Sequence, residues 1–184
     1  MIYEIKINDY RFFKNNTLLS FGADARTKRL LSNAAFVDGR YINKSIAIYG
    51  GNNSGKSNLI SLFRMIKLVL SGKEGFVFNK MFFNDKQYTS ISVTYNNLDN
   101  NGWLKYSFVF DNVNRKFKHE KLSSITYYPN GAPFEKTIFE KDSENKVFVV
   151  FGVDYSKFLD VIRIYPFSLQ NFSNLLKIIF FLVS

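Results

Sequence analysis

Hydrophobic positions in the first eight residues recur at every second place. Tyr3, Ile5 and Ile7 take one side, and Glu4, Lys6 and Asn8 the other. Period two predicts a half-buried strand over residues 2–8. A second short strand is predicted over 17–21, with a turn between them. Residues 22–43 are polar and basic, carrying Arg26, Lys28, Arg29 and Arg40, and read as a surface excursion. Ser45-Ile46-Ala47-Ile48-Tyr49 reads as a short buried strand. The pattern then changes to helical spacing over 58–70, with Leu59, Leu62, Phe63, Ile66 and Val69 on one face and Leu68 and Leu70 widening it. Gly72 suits a helix end. From 87 to 151 alternation returns in Ile91, Val93 and Tyr95, then in Leu104, Tyr106, Phe108 and Phe110, then in Val147, Val149 and Phe151. Clusters rich in Asp, Asn and Gly at 99–102, 111–114, 128–131 and 142–145 separate these runs, which predicts an antiparallel meander. Residues 154–162 read as helical. The apolar run 174–183 is too short to span a membrane as a helix, so it reads as a buried element whose packing partners lie further along a longer chain.

The junction between the third strand and the helix carries the chemistry. Residues 50–57 read Gly-Gly-Asn-Asn-Ser-Gly-Lys-Ser, a complete G-x-x-x-x-G-K-[ST] phosphate-binding loop between a strand and a helix. Gly50 and Gly55 let the backbone turn tightly beside a phosphate. The N–H groups of the loop and of the helix start then face the anion. Lys56 is expected to reach the β- and γ-phosphates, and the Ser57 hydroxyl to coordinate Mg²⁺. The candidate nucleotide-binding residues are Gly50, Asn52, Asn53, Ser54, Gly55, Lys56, Ser57 and Asn58, with Ser57 also the metal ligand.

Composition narrows the class. Hydrophobic residues make up 46% of 184, enough for one sizeable core. With no cysteine and a single histidine, His119, disulfides, thiolate metal sites and histidine clusters are excluded. The start of the chain carries charges instead of an apolar signal segment, so the expectation is cytoplasmic. Net charge is +10, from 25 basic and 15 acidic residues. That balance suits either a polyanionic partner or a solvated basic surface. The lysines are spread along the sequence without a cluster.

Three stretches taken together resemble a family. Asn8-Asp9-Tyr10-Arg11-Phe12-Phe13-Lys14, then Thr17-Leu18-Leu19-Ser20-Phe21, then residues 49–60 with their Asn-Asn-Ser-Gly-Lys-Ser-Asn core, look like the N-terminal half of ABC-like, AAA-type ATP-binding proteins. That group is related to the heads of SMC and RecF-type DNA-repair ATPases, and includes ATPases of OLD-nuclease and abortive-infection phage-defence systems. The resemblance covers about residues 1–155.

It implies an α/β fold: a P-loop NTPase of ABC/SMC-head type, with an N-terminal antiparallel β-subdomain, a β-meander and an incomplete core. It implies one truncated ATP-binding domain over 1–184, divided into 1–72 (strands, loop and helix), 87–151 (antiparallel segment) and 154–184 (helical segment). Implied ligands are ATP and Mg²⁺. Implied partners are a second copy in full-length relatives, and DNA or an effector nuclease. The adenine and ribose are expected against the N-terminal β-subdomain. Arg11 matches a position near the nucleotide phosphates in relatives, and the alternative is a solvated arginine at a strand end.

The family's other motifs have only imitations here. Phe108-Val109-Phe110-Asp111 resembles a Walker B strand, but Asn112 and a turn follow. Leu19-Ser20-Phe21-Gly22 and Leu70-Ser71-Gly72 resemble the signature, out of order, and Gln170 stands in for the sensing Gln. The expectation is therefore ATP binding by half of an ATPase, with no catalytic residue assigned and hydrolysis by this chain doubtful. The competing reading is a degenerate, non-catalytic nucleic-acid-binding or interaction module, using basic charge and an 18% aromatic content. A GTPase is disfavoured, since no Asn-Lys-x-Asp is present.

Overall fold

Short turns between long alternating runs dictate the architecture. Strands joined by four or five residues can only return beside themselves, because a parallel neighbour needs a crossover of a dozen residues or more. A computed structural model describes residues 1–14, 16–23, 32–52, 54–70, 86–97, 102–128, 131–142, 148–150 and 153–154. The strands are β1 (Ile2–Asn8), β2 (Thr17–Ser20), β3 (Ala34–Val37), β4 (Arg40–Asn43), β5 (Tyr88–Asn97), β6 (Gly102–Asp111), β7 (Lys116–Tyr127), β8 (Pro133–Asp142), β9 (Phe148–Val150) and β10 (Val153–Asp154). The described helix is α1 (Lys56–Leu70). Eight strands form one sheet in the order β10-β9-β8-β7-β6-β5-β1-β2, and β3 pairs with β4 separately. Every pairing is antiparallel.

This overturns the expected α/β P-loop NTPase of ABC/SMC-head type. Among the described residues there is no parallel strand pair. Residues 45–49, read as the strand leading into the loop, join no sheet, and Ile46, Ile48 and Tyr49 are exposed. The predicted 17–21 strand ends at Ser20, and Gly22 makes an isolated bridge to Ile42. Residues 34–43, read as part of a surface excursion, form the β3–β4 hairpin. Asp154 stands in β10, and the remainder of the helix read at 154–162, with Gly72 and the run 174–183, lies outside the described residues.

The chain divides into two compact units, Met1–Ile48 with Asn79–Tyr155, and Tyr49–Phe78 with Ser156–Ser184. In the first, one face of the sheet is an apolar row. Ile5 pairs with Val93, Val93 with Tyr106, and Tyr106 with Leu122. The next row holds Ile7, Ile91, Phe108 and Glu120, all buried. Glu120 interrupts the apolar pattern, and its carboxylate accepts a hydrogen bond from the Tyr106 hydroxyl at 2.5 Å. Burial pushes the Glu120 carboxyl up, against the pull of the Tyr106 hydrogen bond, Lys141 and His119. Burial, then the charge and hydrogen bond of Glu120, hold the Tyr106 phenol well above its ordinary range. Burial is the largest cause of both upward shifts, and the Tyr106 hydroxyl supplies a hydrogen bond to the buried Glu120 oxygen.

The opposite face is capped at one end by the β3–β4 hairpin. Asp38 and Gly39 both have positive φ (45° and 78°), the requirement of a two-residue type I′ turn. Ile42 packs with Trp103 and Ile125, bordered by Tyr3, Phe21, Val37 and Tyr127. The Trp103 indole N–H donates to the Asp38 carbonyl at 3.3 Å. Arg40 lies 3.6 Å from the Tyr127 ring centre, and donates to the Tyr3 hydroxyl at 2.7 Å and the Gly131 carbonyl at 3.1 Å. Cation–π contact and these hydrogen bonds offset part of the hydration the guanidinium gives up, while its buried Nε has no hydrogen-bond partner among the described residues.

In the second unit, α1 buries Leu59, Leu62, Met65, Ile66 and Val69, a stripe at spacings of three and four. Phe63, expected on that stripe, is only half-buried, and Met65 takes its place. The side chains of Leu68 and Leu70 lie outside the described residues.

Candidate nucleotide-phosphate site

The glycine loop runs into α1, which begins at Lys56. Gly55 has φ +91°, a conformation that only glycine adopts without strain. Gly50 is needed for a different reason. A Cβ there would meet Ser54 Oγ at 2.5 Å and Ser54 Cβ at 3.0 Å. The loop therefore folds onto itself at that point. The Ser54 N–H donates to the Gly51 carbonyl at 3.3 Å, and the Leu59 N–H to the Gly55 carbonyl at 3.1 Å.

Lys56 turns back into the loop. Its ammonium donates to the carbonyls of Gly50 and Gly51, each at 2.6 Å, and to Ser54 Oγ at 3.2 Å. A positive charge thus sits within the loop at the positive end of a helix whose first turn carries no acidic residue. Gly50, Gly51, Asn52, Ser54 and Ser57 are exposed, while Gly55, Lys56 and Asn58 are half-buried. Asn53 lies outside the described residues. The first N–H groups of α1 have no acceptor within the helix. Exposed donors, a local cation and a serine hydroxyl can together receive a phosphate and its Mg²⁺.

Arg11 belongs to the first unit, in the turn between β1 and β2. It has φ +52° and its guanidinium lies 5.8 Å from the Tyr10 ring centre. Tyr10 and Phe13 exchange backbone hydrogen bonds of 3.0 and 2.9 Å across that turn.

The Walker B imitation has a local role. Asp111 closes β6 and is buried. It accepts hydrogen bonds from the N–H groups of Val113 and Asn114, the Asn114 amide and the Gln87 amide, at 2.9, 2.9, 2.8 and 2.7 Å. Burial alone would raise its pKa, but the hydrogen bonds from Asn114, Gln87 and Val113 bring it down to about 2. The folded chain therefore releases this proton more readily than the unfolded chain does. Its stabilising contribution is complete above the ordinary aspartate range and is lost as pH falls toward about 2. Asp111→Asn is expected to flatten the fall in stability between about pH 4 and 2, read by urea unfolding at stepped pH. An unchanged slope would contradict this role. Among the other imitations, Leu19 and Ser20 lie in β2. Leu70 ends α1, while Ser71, Gly72 and Gln170 lie outside the described residues.

Lysines and arginines scattered in sequence meet in space, which their spacing could not show. β1 ends, β5 begins, β6 ends and β7 begins at the same end of the sheet, as the pairs Asn8 with Ser90, Tyr88 with Asp111 and Asp111 with Lys116 establish. The usable signal was the alternation of turns. Within the meander every second turn falls at one end, but the turn at 9–16 joins that end only through the β1–β5 pairing, which the spacing of turns does not reveal.

No protein-family model matches the chain, and no curated protein matches it. Among the described residues no group of three or more His, Cys, Asp and Glu side chains could hold a metal ion. No described helix is long and apolar enough to cross a membrane.

Proposed function

We propose that this protein binds the triphosphate of Mg-ATP through Gly50, Asn52, Asn53, Ser54, Gly55, Lys56, Ser57 and Asn58. The observation that carries the reading is the Lys56 ammonium drawn into the glycine loop at the start of α1. Phosphate oxygens would replace the Gly50 and Gly51 carbonyls as partners of that ammonium. The exchange is favourable because a charged acceptor makes the stronger hydrogen bond. The Ser57 hydroxyl, exposed one residue on, would join the coordination sphere of Mg²⁺, which keeps several of its waters. Adenine is chosen over guanine on the loop's resemblance to those of ABC- and SMC-like ATPases and on the missing Asn-Lys-x-Asp. The reading rests on the loop and not on the surrounding fold.

A titration with a fluorescent ATP analogue, with and without Mg²⁺, tests it. Saturable binding that Mg²⁺ strengthens is expected. Ser57→Ala should retain the metal-free affinity and lose most of the Mg²⁺ enhancement. Absence of saturable binding in the wild type would sink the proposal, and a full Mg²⁺ effect in Ser57→Ala would remove the metal role.

A further inference from the structure

Six cations line the sheet end described above: Arg11, Lys14, Lys86, Arg115, Lys116 and Lys118. All belong to the first unit. They arise from the β1–β2 turn, the residue pair before β5, and the β6–β7 turn with the start of β7. Lys14, Lys86, Arg115 and Lys116 are exposed, and Arg11 and Lys118 are half-buried. The described acids at this end of the sheet are Asp9, Asp111 and, where the neighbouring β8 ends, Asp142, which pairs with His119. Asp9 faces Lys86 at 3.5 Å. Asp111 is buried and engaged by its turn. Four strand spacings separate β2 from β7, so the rim runs for about 19 Å at about 4.8 Å per strand.

Aromatic faces stand among these charges. Phe12 is 53% exposed at the tip of the β1–β2 turn, and Tyr88 is 37% exposed at the start of β5. The Lys118 ammonium sits 4.7 Å from the centre of the Tyr88 ring. A large apolar ring left half exposed at the tip of a solvated turn costs solubility.

Two arginines here also adopt the backbone conformation that glycine or asparagine would take more easily. Arg11 has φ +52° and Arg115 has φ +53°. Left-handed backbone disfavours a Cβ. Arg115 closes the β6–β7 turn and Arg11 opens the tight turn between Tyr10 and Phe13, positions where glycine would cost the backbone less.

We infer that this end of the sheet binds single-stranded nucleic acid. Its cations would follow successive phosphates, and Phe12 and Tyr88 would offer faces on which unpaired bases stack. The rings favour a single strand over a duplex, whose bases are already stacked. They give a bilayer surface no apolar stripe of the kind an interfacial helix presents. The inference does not depend on ATP binding, because none of its residues comes from the glycine loop.

The test is fluorescence anisotropy of a labelled oligothymidylate with the full chain, across a range of salt concentrations. Wild type is expected to bind at low salt and weaken as salt rises. Arg115→Gly with Lys116→Ser should lower affinity roughly tenfold. It should also reduce the slope of log affinity against log salt by about 1.4, since each lost phosphate contact removes about 0.7. Phe12→Ser should lower affinity with the salt slope unchanged. Arg115→Gly removes the Cβ at a left-handed position, so a melting temperature at or above wild type is expected. Retained stability with lost affinity separates a binding role from a structural one. Undetectable oligothymidylate binding at low salt, or unchanged affinity in the double variant, overturns the inference. Equal affinity for a duplex of the same length, or binding to anionic phosphatidylserine vesicles in preference to the oligonucleotide, overturns the single-strand assignment.

Discussion

Replacing Lys56 by alanine is expected to weaken ATP-analogue binding by about ten- to a hundredfold and to leave the fold intact. The first half follows from the partners available to the ammonium. It now donates to Gly50 O, Gly51 O and Ser54 Oγ. Exchanging those neutral oxygens for phosphate oxygens pairs the ammonium with anionic acceptors, and losing a hydrogen bond of that charged kind costs about 1.5–3 kcal/mol. The second half follows from exposure. Gly50, Gly51 and Ser54 all face solvent, so water can satisfy the oxygens that alanine abandons. Unfolding curves of the variant should overlay those of the wild type while the binding isotherm shifts. Unchanged ATP affinity would remove the phosphate role of the loop. A large loss of stability would show instead that the lysine holds the loop together. Lys56→Arg is a useful companion, because a planar guanidinium cannot enter a pocket of two carbonyls 2.6 Å from a single nitrogen.

The largest effect on stability is expected at Trp103. Its side chain is 1% exposed, meets the Tyr3 and Tyr127 rings edge-on at 5.2 and 6.2 Å, and donates to the Asp38 carbonyl. Trp103→Ala removes the largest buried side chain of that cluster together with the hydrogen bond that holds the β3–β4 turn. A loss of about 3–5 kcal/mol is expected. That corresponds to a melting temperature lower by roughly 6–20 °C. Trp103→Phe keeps most of the apolar area and loses the N–H, so a smaller decrease of about 1–2 kcal/mol is expected. Thermal unfolding followed by circular dichroism reads both. If the two variants melt together, the packing around the indole contributes nothing beyond its hydrogen bond.

These two sites also show how far the sequence could be read. Alternation placed β1, β5 and β6, and helical spacing placed α1 with all but one of its buried positions. The turn clusters bounded β7 and β8, but no alternating run marked β7, because buried Glu120 interrupts the Leu122 face and Ser123 is buried on the opposite one. The hairpin at 34–43 escaped although Asp38-Gly39 is a turn signal. The basic residues around it suggested a solvated excursion, whereas Arg40 lies over aromatic rings. The fold class failed for another reason. A strand–glycine loop–helix pattern looks the same whether or not other strands flank the first, and at 45–49 no described strand does. The local turn geometry of the loop was legible, since its requirements are local: a glycine with positive φ, a glycine without room for Cβ, and a lysine able to fold back.

The sheet's pairing order has a consequence for the chain as it is made. β1 finds its long partner only in β5, with Ile5 opposite Val93, and Arg40 reaches its carbonyl partner at Gly131. Synthesis at about 5–20 residues per second therefore leaves the first strands without their neighbours for several seconds. During that interval Ile5, Ile7 and Ile42 have nothing to cover them. Non-local strand pairing is slow even once all its parts exist. Slower initiation at lower growth temperature, or a chaperone that shields extended apolar segments, should raise the recovered yield more than any single surface substitution.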